Sequence, residues 1–465
     1  MPKCHVPECE NRTSFVTSPD EVIPDWAEWA LAEDSACHRW LPTDGQCVAD
    51  AFRNGSRELC DTFVYQPGSS IVAEFDLACQ EWKRSLVGTI HNVGMLISLP
   101  ILGFISDKWG RRAALVMSGC GAGAVGLAKS FVGSFPAYLL AELLETACGA
   151  SVYPAAFVLM IEWLGVEHRI LASLVLGIPL AMGAATLSLL DYLTGYWRTW
   201  ARFAYPPSFL LLLYPWLLPE SVRWLTTQGR LQEAVDVIKR AAKCNRVSIP
   251  QDGLEKVLLN DAEQANNRVN EIIGDESLFR ALIKYSALRR RLCVCFVWWS
   301  SAVFVFYGLA VQAHALAGSA HANYALVAAA ELPALVANTL LLDRVGRRPL
   351  LTAALLLTAA ALSLQPCLPQ GVQWAGTALY LTGKAGATMA LNALYVYTAE
   401  LFPTRARHRL LAACSTAGRL GAVLAPLAAV LDTEFEKNNY KRIQRQDYSN
   451  KAFNYKDFVN ATQCL

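Results

Sequence analysis

The sequence predicts an all-α, polytopic membrane protein whose helices form two related halves. Three observations support this fold class: the apolar composition, the recurrence of long apolar runs, and motifs that occur twice. Hydrophobic residues make up 54% of the 465 residues and charged residues only 17%. The mean hydropathy is +0.27, which exceeds what a soluble domain of ordinary composition shows.

Ten apolar runs along the chain are each long enough to cross about 30 Å of hydrocarbon as a helix. One very large soluble core is the alternative, and the basic segments between the runs argue against it. We number the runs as spans 1 to 10: Leu86–Ile105, Ala113–Val132, Ala137–Leu164, Leu171–Tyr192, Ala201–Leu218, Leu292–Ala313, Asn323–Leu342, Leu350–Cys367, Val372–Tyr397 and Leu410–Leu431.

Positive charge predicts the orientation of the bundle. Basic turns follow span 1 (Asp107–Arg112), span 7 (Asp343–Arg348) and span 9 (Arg405–Arg409), and residues 219–291 carry 13 Lys/Arg against 10 Asp/Glu. All four segments fall on one side if every span crosses once. Because basic residues favour the cytoplasmic side, that side is predicted to be cytoplasmic and the amino-terminal residues 1–84 extracellular.

Residues 1–84 have the composition of an extracellular domain. They contain 15 Asp/Glu against 7 Lys/Arg, and sequons at Asn11 and Asn54 predict glycosylation. An even number of cysteines in a polar segment predicts three disulfides, with fifteen pairings open. Zinc binding is disfavoured because no Cys-x-x-Cys pair occurs. The six cysteines are Cys4, Cys9, Cys37, Cys47, Cys60 and Cys79.

The extracellular segment also predicts an incomplete chain. No hydrophobic segment precedes it, so either these residues are translocated ahead of span 1 or a span before Met1 is missing; we expect the missing span. The remaining predicted regions are residues 85–218 (first transmembrane half), 219–291 (cytoplasmic segment), 292–431 (second transmembrane half) and 432–465 (a polar tail without an assigned role).

Two motifs repeat at nearly the same spacing. Asp107–Arg112 recurs as Asp343–Arg348 after 236 positions, and Glu162–Arg169 is followed by Glu400–Arg407 after 238 positions. Repeats at one offset predict two parallel halves. A rocker-switch transporter explains this duplication, whereas a receptor or a channel gives no reason for it.

The repeated motifs also predict a gate at the cytoplasmic end. We expect Asp107 and Asp343 each to meet a helix amino terminus or an arginine. Glu162 with Arg169, and Glu400 with Arg407, are expected to form ion pairs that hold one conformation. The alternative is that the basic residues only orient the bundle in the membrane. That alternative does not require the repeated acidic residues. Further candidate gating residues are Arg111, Arg112, Glu220, Arg223, Arg347 and Arg348.

Four motifs, in this order and spacing, carry a family resemblance. They are Gly68–Cys79 before span 1, Gly103–Arg112 after it, Pro219–Leu225 after span 5 and Tyr395–Thr404 after span 9. From about Asp61 to Leu431 the chain resembles the organic cation/carnitine transporter family of the major facilitator superfamily. The resemblance implies a major facilitator fold, transport by alternating access and a location in the plasma membrane. It also implies that the first and the last of twelve family spans are absent, so a truncated, non-transporting relative is an alternative.

Charged residues inside the spans point to a transport path, because burying them in a bilayer is costly. Glu142 and Glu145 lie in span 3, and Glu331, Lys384 and Arg419 lie near mid-depth in the second half. The last three are expected to share one cavity that offers both signs of charge. Pairing with each other for assembly is the alternative.

The resemblance sharpens the prediction of a substrate. Arg419 and Lys384 are similar to the carnitine branch, and Glu331 is similar to the cation and carnitine branches. Leu335 stands where anion carriers have a lysine, whereas Glu142 departs from the basic residue of the cation carriers. The chain is therefore expected to carry an organic cation or a carnitine-like zwitterion, with an organic anion as the alternative.

Aromatic residues are expected to recognise the ammonium group through cation–π contacts. Span 6 is rich in them, and the resemblance extends the candidate lining to span 3 and to one polar residue of span 9. Ordinary packing or lipid-facing positions are the alternative. The candidates are Tyr153, Phe157, Trp299, Phe306, Tyr307 and Asn392. The sequence predicts no enzyme, metal, cofactor or nucleic-acid site, and it leaves a coupling ion open.

Overall fold

We analysed a computed structural model of the chain. It describes residues 37–43, 46–53, 56–65, 70–165, 169–247, 285–313, 320–368, 373–402, 410–411 and 413–427, together with residues 3, 4, 6, 9, 30 and 316. The helices of the first half are Glu81–Trp109 (span 1), Arg111–Lys129 (span 2), Phe135–Gly149 and Val152–Trp163 (span 3), Arg169–Thr194 (span 4), and Trp197–Ala204, Pro206–Leu213 and Tyr214–Leu217 (span 5).

The second half is also helical. Its helices are Ser286–Gln312 (span 6), Ala320–Val345 (span 7), Arg347–Leu364 with the 3₁₀ turn Gln365–Cys367 (span 8), Gln373–Leu401 (span 9) and residues 413–427 (span 10). Six helices in the described ranges are long and apolar enough to cross a membrane by length and composition alone, and they belong to spans 1, 3, 4, 6, 7 and 8. Between the halves, two shorter helices span Val222–Thr227 and Leu231–Asn245.

Spans 3 and 5 differ from the regular helices that the sequence predicts. Span 3 breaks between Gly149 and Val152, where Pro154 cannot donate a backbone hydrogen bond and its ring crowds the carbonyl four residues earlier. Span 5 changes to a 3₁₀ helix at Pro206 and returns to a short α-helix near Pro215. The proline residues therefore interrupt runs whose apolar length alone predicts continuous helices.

The two-fold repeat is visible in the turns that follow spans 1 and 7. Gly110 has φ 104° and Gly346 has φ 93°, a conformation that side-chain-bearing residues rarely adopt. Each glycine ends one long helix and directly precedes the next. The two halves thus use the same glycine turn to connect consecutive membrane helices.

The halves contact each other where small residues allow close approach. A Cβ atom at Gly177 of span 4 would lie 2.7 Å from a methyl carbon of Leu335 in span 7. A Cβ atom at Gly88 of span 1 would lie 2.9 Å from Pro426 Cγ in span 10. These approaches pair span 4 with span 7 and span 1 with span 10 across the interface.

The amino-terminal domain is small and stapled by disulfides. Lys3–Cys4 pairs antiparallel with Phe63–Val64, and His38–Trp40 pairs antiparallel with Arg57–Leu59. Two short helices, Ala49–Arg53 and Ile71–Glu74, complete the described part. The prediction of three disulfides is confirmed; they join Cys4 to Cys60, Cys9 to Cys47 and Cys37 to Cys79. The sequons at Asn11 and Asn54 lie outside the described residues.

The amino-terminal domain is anchored to the first half by Glu74. The carboxylate accepts hydrogen bonds from Trp197 Nε1 at 2.6 Å and from Arg198 Nε at 2.7 Å. Arg198 also donates to the carbonyl oxygen of Ser130 at 2.7 Å. Beside this contact, the Phe75 ring lies 5.6 Å from the Tyr138 ring. The domain is therefore expected to move together with the first half.

This anchor should depend on pH. Burial raises the pKa of Glu74, but hydrogen bonds from Arg198 and Trp197 and the charge of Arg198 outweigh it and hold the pKa below its usual value. A depressed folded-state pKa contributes stability above the unfolded value of about 4.3, and this stability is lost as pH falls through the folded value. Glu74→Gln is therefore expected to lower the melting temperature by about 3 °C at pH 7. The melting temperatures of the variant and the wild type should converge as the pH falls below the folded-state pKa of Glu74.

The matched control for this prediction is Glu81→Gln. Glu81 forms an exposed pair with Arg84, and such pairs contribute little to stability. Its melting temperature should stay close to the wild-type value at both pH values. Equal melting temperatures of Glu74→Gln and the wild type at pH 7 would contradict the anchoring role.

Candidate functional site

At the end of the bundle that carries the basic motifs, here called the basic end, Arg111 joins two carboxylates. Its Nε atom lies 3.3 Å from Glu162 Oε2, and one terminal nitrogen lies 3.0 Å from Asp107 Oδ1. The Asp107 side chain is 80% exposed, whereas Glu162 is largely buried. The partner of Glu162 is therefore Arg111. The side chain of Arg169 lies outside the described ones, so its predicted pairing with Glu162 stays a prediction.

The second half repeats this contact. Arg347 Nε lies 3.1 Å from Glu400 Oε1. Arg347 and Glu400 occupy the repeat positions of Arg111 and Glu162, so each half holds its basic motif with a glutamate from the end of a later span. Arg407 and the Asp343 side chain lie outside what the structure describes, and the expectations for them stay predictions.

Glu220 occupies the amino terminus of span 2. It accepts hydrogen bonds from the backbone nitrogens of Arg111 at 3.0 Å and of Arg112 at 3.2 Å. These amides begin span 2, where a helix leaves N–H groups unpaired and favours negative charge. Of the two partners expected for Asp107, a helix amino terminus or an arginine, the described contact is the one with Arg111, while Glu220 occupies the helix terminus.

The segment after span 5 is docked on the same end. Arg112 donates to the carbonyl oxygens of Pro215 at 2.9 Å and Leu218 at 3.0 Å, and Trp224 Nε1 donates to the Asp107 carbonyl at 3.0 Å. These contacts tie residues 215–224 to the turn after span 1. The predicted gating residues Arg223 and Arg348 are exposed, and the described part of the chain gives them no ion-pair partner.

Near mid-depth in the second half, Glu331 and Lys384 form an ion pair with 3.0 Å between Oε1 and Nζ. The Lys384 side chain is 1% exposed and that of Glu331 is 19% exposed. Lys384 Nζ also lies 3.4 Å from the Phe306 ring centroid and donates to the Phe306 carbonyl oxygen at 3.3 Å. The alternative, in which the intramembrane charges pair with each other, thus describes Glu331 and Lys384.

Arg419 has a different environment. One terminal nitrogen donates to the Tyr307 hydroxyl at 2.7 Å and lies 3.3 Å from Met95 Sδ. Among the described residues, no carboxylate lies within ion-pair distance of this guanidinium. With Lys384 neutralised by Glu331, the three charges leave one net positive charge, on Arg419. Since Met95 belongs to span 1, Arg419 also lies where the two halves meet.

The other residues predicted to line the cavity are less closely associated with the Glu331–Lys384 pair and with Arg419. Trp299 is 1% exposed, and its Nε1 atom donates to Thr398 Oγ1 at 3.0 Å. The Tyr153 and Phe157 rings stack at 6.4 Å in span 3, and Asn392 donates to its own helix. The described contacts therefore group the following residues: Phe306, Tyr307, Glu331, Lys384 and Arg419.

Sequence reasoning missed Met95, which contacts this group. Met95 carries no charge and lies in an apolar span, so no pattern separates it from lipid-facing neighbours. It can be found only through its contacts with Arg419 and Tyr307. The intramembrane acids of span 3, Glu142 and Glu145, belong to a separate cluster in the first half.

Comparisons with known proteins decide the family. The model of the major facilitator superfamily matches residues 80–426. Rat solute carrier family 22 member 7 is 33% identical over 371 residues, which cover 78% of this chain and 67% of the relative. The chain belongs to solute carrier family 22 of the major facilitator superfamily. It is therefore a multi-pass membrane transporter and not an enzyme.

Two further relatives within the family are similar over most of this chain. Rat solute carrier family 22 member 3 is 28% identical over 84% of this chain and 71% of its own length. Mouse organic cation/carnitine transporter 2 is 33% identical over 77% of this chain and 63% of its own length. The name of the mouse relative refers to organic cations and carnitine.

The solved structures agree with the fold. A partially occluded, inward-open structure of the xylose transporter of E. coli superposes with a TM-score of 0.57 at 15% identity, covering 75% of this chain and 81% of that protein. The predicted architecture of two helical halves with a major facilitator fold is therefore confirmed for this member of solute carrier family 22.

Proposed function

We propose that the chain carries small zwitterions with a carboxylate and a quaternary ammonium group across the plasma membrane by alternating access. The observation that carries this proposal is the environment of Arg419. Its guanidinium is half-buried at the contact between the halves, with a hydroxyl and a sulfur as hydrogen-bond partners among the described residues. A carboxylate matches a guanidinium in both charge and geometry.

The ammonium end would meet aromatic rings and one acid. Phe306 and Tyr307 present rings at right angles, with centroids 5.4 Å apart, and quaternary ammonium groups bind to such faces. Glu331 is more exposed than Lys384, so it is the member of the pair that a substrate can reach. Trp299, which the sequence favours for this role, is packed in the core of the second half, and its contribution would require a rearrangement.

The contacts at the basic end support the alternating-access part of the proposal. The pairs Arg111–Glu162 and Arg347–Glu400 bridge the ends of consecutive membrane helices in each half. Glu220 adds a third contact, to the amino terminus of span 2. Each contact lies within one half, and in this proposal it holds the helix ends of that half in the arrangement that closes the predicted cytoplasmic end.

Arg111→Ala is expected to shift the population toward forms that are open at the basic end. The Arg111–Glu162 pair is less exposed than Arg347–Glu400, so the shift should exceed that of Arg347→Ala. A cysteine introduced at Leu102, about two turns from the end of its helix, should react about fivefold faster with an impermeant thiol reagent, as a bias of about 1 kcal/mol allows. Arg348→Ala is the matched control, and unchanged labelling in both pair mutants would contradict a latch.

A second candidate function is the transport of organic anions. The single net positive charge near mid-depth favours it, because Glu331 is occupied by Lys384 and leaves Arg419 as the unbalanced group. Under this alternative the substrate needs a carboxylate and no ammonium group.

Uptake of three radiolabelled compounds by cells expressing the chain separates these functions. The compounds are carnitine, a simple quaternary ammonium ion and an aromatic monocarboxylate, and all rates are corrected for the amount of protein at the surface. The proposal predicts the fastest saturable uptake for carnitine. Uptake of the monocarboxylate alone would favour the anion carrier, and uptake of none of them would favour the truncated, non-transporting relative.

A further inference from the structure

The first half contains a buried charged network that the proposed substrate site does not use. Lys129 Nζ lies 2.8 Å from Glu142 Oε2 and also binds Glu145. The three side chains are between 8% and 15% exposed. On the far side of the network, the Tyr205 hydroxyl donates to Glu145 Oε1 at 2.5 Å. Spans 2, 3 and 5 thus meet around a single ammonium group.

His91 of span 1 completes the network. Its Nδ1 atom lies 2.7 Å from Glu142 Oε1, and its ring is 39% exposed although Glu142 is only 9% exposed. Glu142 therefore has one oxygen on Lys129 and the other on His91. The imidazole is the most exposed member of the network.

The groups facing this network come from every helix packed around it. Span 3 contributes Tyr138, whose ring lies 5.7 Å from Lys129 Nζ, besides its two acids. Span 5 contributes Tyr205 and Arg202, and Arg202 donates to Ser130 Oγ at 3.4 Å. The nearby Arg198 is neutralised by Glu74.

The charge balance of the network depends on the histidine. One lysine and two carboxylates give a net charge of −1 when His91 is neutral, and the net charge becomes zero when His91 binds a proton. A net charge inside a membrane bundle is unfavourable unless it is compensated. Histidine is also the side chain whose charge ordinarily changes between pH 5 and 8.

The network lies next to the proposed substrate site. His91 and Met95 are four residues apart, so they lie on one face of span 1, about one helical turn from each other. Met95 Sδ is 3.3 Å from Arg419. On the same face, Gly88 lies against Pro426 of span 10. A change in the charge of His91 therefore takes place close to the Arg419 guanidinium, which would hold a carboxylate.

We propose that His91, together with Glu142, Lys129, Glu145 and Tyr205, forms a proton-binding site that couples proton and substrate movement. This inference rests on the proposed function. A proton from water that binds His91 removes a net negative charge near Arg419, and this removal favours a carboxylate-bearing substrate there. Linkage is reciprocal, so the bound substrate favours the proton, and the two move in the same direction.

The test uses the purified full chain in liposomes that contain a pH-sensitive dye, with radiolabelled carnitine outside. For the wild type we expect the KM at external pH 6 to be about fivefold lower than at pH 8, and the lumen to acidify when carnitine is added. His91→Gln retains a hydrogen-bond donor for Glu142 but takes up no proton. Its KM should be the same at both pH values, and carnitine should cause no acidification.

Two more variants complete the design. Glu142→Gln removes the negative charge permanently, so its KM should resemble that of the wild type at pH 6 at both pH values. His38→Gln, in a strand of the amino-terminal domain, is the matched control and should keep the wild-type pH dependence. A wild-type KM without pH dependence, or a pH-dependent KM in His91→Gln, would overturn the proton site alone. Absence of carnitine uptake at every pH would overturn the proposed function and the coupling with it.

Discussion

Arg419→Ala is expected to lower the apparent affinity for a carnitine-like zwitterion by about 10- to 100-fold, because a charge-assisted hydrogen bond contributes roughly 1.5–3 kcal/mol. The loss should be smaller for a simple quaternary ammonium ion, which offers Arg419 no carboxylate. Arg419→Lys should recover part of the affinity, since the charge returns without the two-pronged geometry of the guanidinium. Uptake of both radiolabelled compounds, corrected for surface expression, measures these effects.

The matched control for Arg419 is Tyr307→Phe. This change removes the hydroxyl that accepts the Arg419 hydrogen bond at 2.7 Å, but it keeps the aromatic ring and the guanidinium. Its effect on zwitterion affinity should be small beside that of Arg419→Ala. An equal loss of both substrates in Arg419→Ala would mean that Arg419 joins the two halves through Tyr307 and Met95 and does not bind the carboxylate.

Lys384→Met is expected to destabilise the chain strongly. It leaves the Glu331 carboxylate, only 19% exposed, without its partner, and removing one member of a buried pair typically costs about 3–5 kcal/mol. Glu331→Gln should have a similar effect through the stranded ammonium group of Lys384. The double variant, in which both charges are removed, should recover most of the stability.

Thermal unfolding of the purified variants in detergent completes this double-mutant cycle. The exposed pair Arg230–Glu233 provides the control, because removing either of its members should change the melting temperature little. A wild-type melting temperature in Lys384→Met would contradict a structural role of this ion pair.

The sequence predicts the bundle well because apolar length and repeated motifs are local properties. The glycine turns at Gly110 and Gly346 follow directly from the repeated motif. The breaks in spans 3 and 5 could have been read from Pro154 and Pro206, but a prediction based on apolar length gives such residues no weight. The three disulfides were predictable from the cysteine count, whereas their pairing depends on how the domain folds.

The sequence predicts the candidate site less completely because partners are set by packing. Glu162 and Arg111 are 51 positions apart, and Glu220 reaches a helix terminus 109 positions earlier. No local pattern shows that Glu220 rather than Asp107 binds there. In the same way, the position of Lys384 inside a span indicates a functional or structural role for its charge. Only the packing of spans 7 and 9 shows that its partner is Glu331.

The central claim, that the chain itself carries a carboxylate-bearing ammonium compound, is tested most directly by counterflow. Liposomes that contain the purified chain are loaded with unlabelled carnitine and diluted into a trace of radiolabelled carnitine. A transporter should accumulate the label transiently above its equilibrium level, and Arg419→Ala should reduce this overshoot strongly. Label that never exceeds the level in protein-free liposomes would contradict the claim.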